Sequence, residues 1–107
     1  ADIVLRAAEN DIARRFAPAI RAAGAVFVDN SSAFRMDPDV PLVVPEINPD
    51  DALKHNGIIS NPNCSTIIAL TAVNAINKLS PIEYMVVSTY QAVSGAEAGG
   101  QWSWKHR

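Results

Sequence analysis

Cys64 is the only cysteine in this chain of 107 residues, and its position suits a nucleophile. Positions 61–63 read Asn-Pro-Asn, and an apolar run with helical spacing extends from residue 64 to residue 79. The thiol is therefore predicted at the start of a helix, where free backbone N–H groups and the positive end of the helix dipole stabilise an anion. A thiolate is such an anion, and the same N–H groups could bind the oxyanion formed when it attacks a carbonyl.

A lone cysteine also has a simpler interpretation. Most such residues are small, buried and apolar, with no chemical role. The polar residues on both sides of Cys64 weaken this interpretation, because a cysteine in a core usually has apolar neighbours. Position alone leaves both interpretations of Cys64 open.

Arg35 is a second residue whose type and position suggest chemistry. It ends the segment Asn-Ser-Ser-Ala-Phe-Arg at positions 30–35, which follows a predicted strand. The planar guanidinium of an arginine can grip a phosphate or a carboxylate through two hydrogen bonds. A solvated loop arginine is the alternative that position leaves open.

The elements that would position these residues begin with a strand, a helix and a strand within the first 29 residues. The pattern predicts a short buried strand at 2–5, a second strand at 25–29, and between them a helix at 11–23 that Pro18 kinks or restarts and Gly24 ends. Such a βαβ unit builds a parallel sheet covered by helices, with its binding site at the carboxyl ends of the strands. Arg35 would lie at that edge.

Four further elements are predicted after this unit, besides the helix that starts at Cys64. They are a short strand at 42–44, a brief helix that ends at Lys54, a strand at 57–60 and a strand at 82–90. The strand at 57–60 would deliver the chain to Cys64 at the same edge of the sheet.

Composition bounds the possible functions. A hydrophobic content of 49% can form a core, and a net charge of −2 offers no basic surface to nucleic acid or an anionic membrane. The apolar runs are too short to span a bilayer, and no metal-ligand spacing surrounds Cys64, His55 or His106. The sequence thus predicts a cytoplasmic protein that holds no metal and binds neither nucleic acid nor membrane.

Four segments together resemble aspartate-semialdehyde dehydrogenase. They are 28–36 (VDNSSAFRM), 43–48 (VVPEIN), 61–66 (NPNCST) and 88–95 (STYQAVSG), in the order and at the spacing of that family. The resemblance covers roughly residues 1–100. It implies an α/β fold in which residues 1–62 are the C-terminal part of a Rossmann-like, NADP-binding domain with a parallel sheet. Residues 63–100 would be the first helix and strand of an α+β catalytic and dimerisation domain, and 101–107 an atypical tail.

The resemblance also implies a reaction. The family reduces L-aspartyl 4-phosphate to L-aspartate 4-semialdehyde with NADPH and releases phosphate, on the route to lysine, methionine and threonine. The Cys64 thiolate would attack the acyl phosphate and leave a thioester, which accepts hydride and collapses to the aldehyde. Covalent catalysis of this kind divides one difficult step into easier ones. Family members are typically homodimers.

The other site residues that the resemblance implies bind rather than react. Arg35 and Asn63 would bind the phosphate of the substrate or inorganic phosphate, and Gln91 would orient the acyl group. Ser94 and Gly95 would approach the nicotinamide end of NADP. Asn63 could also be only a helix N-cap, Gln91 could satisfy backbone groups at a strand end, and Gly95 could be only a turn.

The chain departs from the family pattern in several places. The Gly-rich phosphate loop and the downstream catalytic histidine of the family have no counterpart, and His106 is too close to Cys64 to be that histidine. Residues 6–10 replace a Ser-Ala-Gly type segment, and Glu97 replaces a glycine. Glu9 and Glu97 would repel a dinucleotide phosphate. We therefore expect a partial or degenerate copy with little or no activity on its own.

Two alternatives remain. One is a noncatalytic remnant that acts as an interaction module, because a truncated chain exposes surface that its missing parts would cover. The other is an enzyme like N-acetyl-glutamyl-phosphate reductase, which shares the thioester chemistry. That family usually has Gly before its cysteine and Tyr after it, whereas this chain has Asn63 and Ser65. Glyceraldehyde-3-phosphate dehydrogenase lacks the Ser-Ala-Phe-Arg and Gln-Ala-Val-Ser-Gly motifs.

Overall fold

The structure is a computed structural model that describes residues 1–7 and 9–92. Its elements in chain order are β1 (Ile3–Arg6), α1 (Asn10–Ala22), β2 (Val26–Asp29), a 3₁₀ helix (Pro49–Lys54), β3 (Ile58–Ser60) and α2 (Cys64–Leu79). The predictions for Ser94, Gly95, Glu97, His106 and the tail at 101–107 concern residues outside the described part of the chain. The division into domains after residue 62 stays a prediction.

The three strands form one parallel sheet in the order β1-β2-β3. Ile3 pairs with Val26, and Phe27 pairs with Ile58. The predicted βαβ unit and the α/β class are therefore confirmed. The prediction that the first strand is buried is wrong, because Ile3 and Leu5 of β1 are 66% and 78% exposed on a face that no described element covers. Because all three strands run in the same direction, their carboxyl ends meet at one edge of the sheet, where a parallel sheet places its binding residues.

One face of the sheet holds the core. Ala13 and Ala17 of α1 are 0% and 3% exposed, and their small side chains let the helix lie close to Phe27, which is 0% exposed. The Phe34 ring meets the Phe27 ring edge to face, with centroids 6.4 Å apart. This packing anchors the loop after β2, which carries Arg35, against the helix layer.

The end of α1 follows its sequence signals, with one correction. Gly24 has a φ of 74°, a left-handed conformation in which a residue without Cβ is favoured, and it ends the helix as predicted. Pro18 does not restart the helix, because α1 runs as one element from Asn10 to Ala22. A proline removes one backbone N–H, and the burial of Ala17 beside it keeps the helix seated on the sheet.

The strand predicted at 82–90 is wrong. Residues 81–92 have no regular helix or strand, and their side chains are exposed, Tyr90 by 99%. A strand is stable only when a neighbour accepts its hydrogen bonds, and the described residues place no strand beside this segment. The β propensity of Met85, Val86 and Val87 is therefore not enough to form a strand.

The strand predicted at 42–44 and the brief helix predicted before residue 55 have counterparts at the predicted positions, but of a different structural type. The strand predicted at 42–44 is reduced to a single bridge between Leu42 and Ser60, since Pro41 and Pro45 on either side have no N–H to extend a ladder. The brief helix before residue 55 is a 3₁₀ helix, in which Lys54 Nζ donates to Asp51 Oδ1 at 2.6 Å. The hydrogen bonds from Lys54 and Asn48 lower the pKa of Asp51 below its usual value.

Candidate active site

A cleft of about 390 Å³ opens at the carboxyl ends of β2 and β3 and at the start of α2. Four residues that the sequence singled out line it together: Arg35, Asn63, Cys64 and Gln91. The four come from three parts of the chain: Arg35 from the loop after β2, Asn63 and Cys64 from the start of α2, and Gln91 from the segment after α2. The fold therefore gathers every predicted site residue that falls within the described part of the chain.

Cys64 is the first residue of α2, and its side chain is exposed. The helix begins there because the Asn63 side chain caps it, with Asn63 Oδ1 accepting from the Ser65 N–H at 3.0 Å. The interpretation of Cys64 as a buried core residue is thus wrong. The predicted position of the thiol at a helix N-terminus is confirmed, and the structure adds that the thiol lines the cleft.

Asn63 has the N-cap role that the sequence left open and, in addition, a contact with Gln91 that the sequence did not predict. Its Oδ1 caps α2, and its Nδ2 donates to Gln91 Oε1 at 3.3 Å. The Asn63 amide therefore connects the helix start beside Cys64 to the segment that carries Gln91. Gln91 lines the cleft from a segment without regular secondary structure, and this contact is one of those that hold it there.

Arg35 is held by two backbone carbonyls. Its Nε donates to the Asn61 oxygen at 2.9 Å, and its Nη2 donates to the Asn30 oxygen at 3.1 Å. Both acceptors are neutral, and within the described ranges the one ion pair is between Lys54 and Asp51. A guanidinium has five N–H donors, so three remain for a ligand after these two bonds. Arg35 thus keeps its full positive charge inside the cleft.

The loop that carries Arg35 is braced by a buried carboxylate. Asp29 is 0% exposed and accepts from the Ser31 N–H at 3.0 Å and from Ser31 Oγ at 2.8 Å. Ser31 Oγ in turn accepts from the Ala33 N–H at 3.2 Å. This turn satisfies the Asp29 charge from within the loop, so the carboxylate does not neutralise Arg35.

Sequence reasoning missed four polar residues that line the cleft: Asn10, Asn30, Ser32 and Asn61. The start of α1 is joined to the loop after β2 by Asn10 Nδ2, which donates to Ser32 Oγ at 2.9 Å, and by the Ser32 N–H, which donates to Asn10 Oδ1 at 3.0 Å. The βαβ topology already brings a helix start and the following strand end to one edge, and polar residues at both places were the available signal.

A larger groove of about 650 Å³ lies along α1 beside His55 and Gly57. It contains basic side chains, Arg14 and Arg21, but no nucleophile and none of the predicted site residues. The smaller cleft is the candidate active site because it brings a thiol, an uncompensated cation and amide groups together. In the part of the chain that the structure covers, no group of His, Cys, Asp and Glu is arranged to hold a metal. No helix there is long and apolar enough to cross a membrane.

The fold and the cleft define an α/β protein with an exposed thiol at the carboxyl edge of a parallel sheet. Residues 1–55 match the family model described as "Semialdehyde dehydrogenase, NAD binding domain", and the chain belongs to this family. It is 54% identical over 106 residues to aspartate-semialdehyde dehydrogenase from Synechocystis sp.. The resemblance drawn from the four sequence segments is confirmed.

Solved structures agree with this assignment. Aspartate semialdehyde dehydrogenase II from Vibrio cholerae superposes with a TM-score of 0.82 at 45% identity, covering 94% of this chain and 30% of that one. Aspartate semialdehyde dehydrogenase with NADP from Candida albicans superposes with a TM-score of 0.63 at 27% identity, over 77% of this chain and 27% of that one. The match to the Synechocystis relative covers 99% of this chain, and this chain spans 31% of the length of that relative.

Proposed function

We propose that this chain is the nucleophile-bearing part of an aspartate-semialdehyde dehydrogenase, which converts L-aspartyl 4-phosphate to L-aspartate 4-semialdehyde. The observation that supports this most directly is the cleft itself, in which Cys64 and Arg35 face a shared space. A thiol supplies the nucleophile for an acyl phosphate, and an uncompensated guanidinium supplies the binding group for its phosphate.

The covalent step follows from these two groups. The Cys64 thiolate attacks the acyl carbon, an S–C bond forms, and the C–O bond to phosphate breaks with its electron pair leaving on phosphate. Arg35 binds the phosphate through its remaining N–H groups, and Gln91 and Asn63 orient the acyl substrate and its phosphate. Stabilising the departing charge in this way lowers the barrier to its departure.

The start of α2 supplies donors for the oxyanion. Asn63 Oδ1 occupies the Ser65 N–H, and the Asn63 carbonyl accepts from the Ile67 N–H at 3.0 Å. The N–H groups of Cys64 and Thr66 have no hydrogen-bond partner among residues 1–7 and 9–92. These two N–H groups are our candidates for the oxyanion donors.

The family's NAD binding domain supports a nicotinamide dinucleotide as cofactor, and we propose NADP because the Candida albicans relative contains it. Bound NADPH would supply the hydride that reduces the Cys64 thioester. The described residues do not form a cradle for its phosphates at α1. Glu9 is the N-cap of that helix, and Asp11 lies in its first turn, so two carboxylates occupy the end that would bind an anion. Ser94 and Gly95 remain the proposed cofactor contacts.

The remaining parts of the proposal concern the intact protein. We propose a cytoplasmic homodimer, and the apolar side chains that α2 exposes support association: Ile68 is 73% exposed and Leu79 is 90% exposed. We also propose that the 107 residues alone turn over slowly or not at all. Aldehyde-dependent reduction of NADP in the presence of phosphate measures this, and robust turnover would overturn that part of the proposal.

Acylation of the thiol tests the proposed function without needing turnover. We expect aspartyl 4-phosphate to label Cys64 as a thioester that mass spectrometry detects, that hydroxylamine removes, and that forms together with free phosphate. Cys64→Ser should abolish the hydroxylamine-labile adduct. Arg35→Met should slow labelling by about tenfold or more, the effect expected for loss of one charged hydrogen-bonding group. A folded chain that forms no adduct would instead favour the noncatalytic remnant.

A further inference from the structure

We propose that Asn30 and Asn61 are positioning residues for Arg35. We call this pair the asparagine clasp. Both residues lie in segments that the sequence singles out, but neither was predicted as a site residue, and neither is assigned a role in the reaction proposed above. The inference rests on the proposed function only where it names phosphate as the ligand of Arg35.

The backbone of the clasp marks the ends of two strand pairings. The Asn30 N–H donates to the Arg6 oxygen at 3.0 Å, and the Asn61 N–H donates to the Asp29 oxygen at 2.8 Å. Asn30 is thus the first residue after β2 and is still hydrogen-bonded to β1. Asn61 is the first residue after β3 and is still hydrogen-bonded to β2. Their carbonyl oxygens are the two acceptors of Arg35.

The side chains of the clasp join these two strand ends. Asn61 Nδ2 donates to Asn30 Oδ1 at 2.6 Å. Two rigidly spaced carbonyls are needed to hold a planar guanidinium through Nε and Nη2 at once, because the fork has fixed geometry. The side-chain bond fixes that spacing beyond the point where the regular strand pairing ends. It therefore limits how far Arg35 can rotate away from the cleft.

The choice of amides also has an electrostatic consequence. An amide can donate and accept, so two asparagines can bond to each other without bringing charge into the cleft. A carboxylate at either position would place a negative charge near Arg35 and repel a phosphate. The clasp therefore holds the cation with neutral groups and leaves its charge for an anionic ligand.

Two readouts on the full 107-residue chain test the clasp, both by NMR. The first is hydrogen exchange of the Arg35 Nε–H, which reports how firmly this donor is held by Asn61. The second is the dissociation constant of inorganic phosphate. Asn30→Ala and Asn61→Ala remove the same side-chain bond, so we expect each to speed the exchange and to weaken phosphate binding by about fivefold to tenfold.

The double substitution is the decisive variant. If the two side chains act through one bond, Asn30→Ala with Asn61→Ala should match either single change in both readouts, whereas additive effects would overturn the clasp. In an Arg35→Lys background, which cannot form the two-pronged contact, neither alanine change should weaken phosphate binding further. A further loss there would show that the asparagines act on phosphate by another route.

Two more variants distinguish the positioning of Arg35 from effects of added charge and from general effects of an asparagine substitution on the fold. Asn30→Asp retains the acceptor for Asn61 Nδ2, so the Arg35 Nε–H should exchange as slowly as in the unaltered chain while phosphate binding weakens through charge. Asn56→Ala, an exposed asparagine outside the cleft, should change neither readout. If the unaltered chain binds no phosphate but the clasp variants still speed Arg35 exchange, the proposed function fails and the positioning role stands. Unchanged exchange in both alanine variants would overturn the inference.

Discussion

At the residue scale, the cleft is distinguished by a guanidinium whose charge no neighbouring carboxylate offsets. Arg35 donates to neutral carbonyls of Asn30 and Asn61, and the nearby Asp29 carboxylate is satisfied by Ser31. The positive potential of Arg35 therefore acts on whatever approaches Cys64. An anionic reagent should therefore react with Cys64 faster, relative to a neutral reagent of similar size, than it would without Arg35.

The prediction concerns the relative rates at which iodoacetate and iodoacetamide alkylate Cys64. Arg35→Met should lower the iodoacetate-to-iodoacetamide rate ratio by about threefold to tenfold, because one cation in the cleft attracts the carboxylate of iodoacetate. Inorganic phosphate should slow iodoacetate more than chloride does at equal ionic strength. Rates are measured by mass spectrometry of the single thiol.

A matched control is available on α1. Arg15→Met makes the same change in charge at an exposed position outside the cleft, and it should leave the rate ratio nearly unchanged. An equal fall in both variants would mean that net charge, and not Arg35, controls access to Cys64.

At the scale of the elements, the start of α2 depends on a single side chain. Asn63 caps the helix through Oδ1 and contacts Gln91 through Nδ2. These two functions use different atoms, so substitution can separate them. Aspartate caps a helix about as well as asparagine does, but its ionised carboxylate has no N–H to donate.

We therefore predict that Asn63→Ala lowers the free energy of unfolding by about 1 kcal/mol, the usual cost of losing an N-cap. Asn63→Asp should keep most of that stability and still lose the bond to Gln91. Denaturant unfolding measures the first effect, and NMR shifts of the Gln91 side-chain amide measure the second. Equal destabilisation by alanine and aspartate would contradict the capping role.

The sequence predicted the elements that local signals determine and failed where a distant partner decides. The βαβ unit and the full extent of α2 follow from periodicity, Gly24 and the Asn63 cap, all of them local. The strand expected at 82–90 needed a neighbouring strand that apolar composition cannot supply. In the cleft, Arg35 and Cys64 were predictable from their places after strand ends. The contacts between Asn10 and Ser32 and within the asparagine clasp depend on strand order and register, which the sequence does not reveal.

At the scale of the whole molecule, apolar surface is distributed unevenly. One face of the sheet is covered by α1, whereas Ile3 and Leu5 of β1 remain 66% and 78% exposed. Parallel sheets are usually covered on both faces, and α2 also exposes large apolar side chains. Exposed apolar area on this scale marks a surface that associates with another chain or with further parts of the same protein.

The last prediction is that the 107-residue chain self-associates through α2. Ile68→Glu combined with Ile76→Glu should shift sedimentation toward the monomer and weaken the association by about tenfold or more, because each charge would have to be desolvated in an apolar contact. Ile68 and Ile76 are 73% and 59% exposed, so neither change should disturb the core. Leu53→Glu is the control, since Leu53 is 84% exposed and belongs to the 3₁₀ helix and not to α2. Association that persists in the α2 variant, or that Leu53→Glu disrupts equally, would contradict a contact through α2 and direct attention to the exposed face of β1.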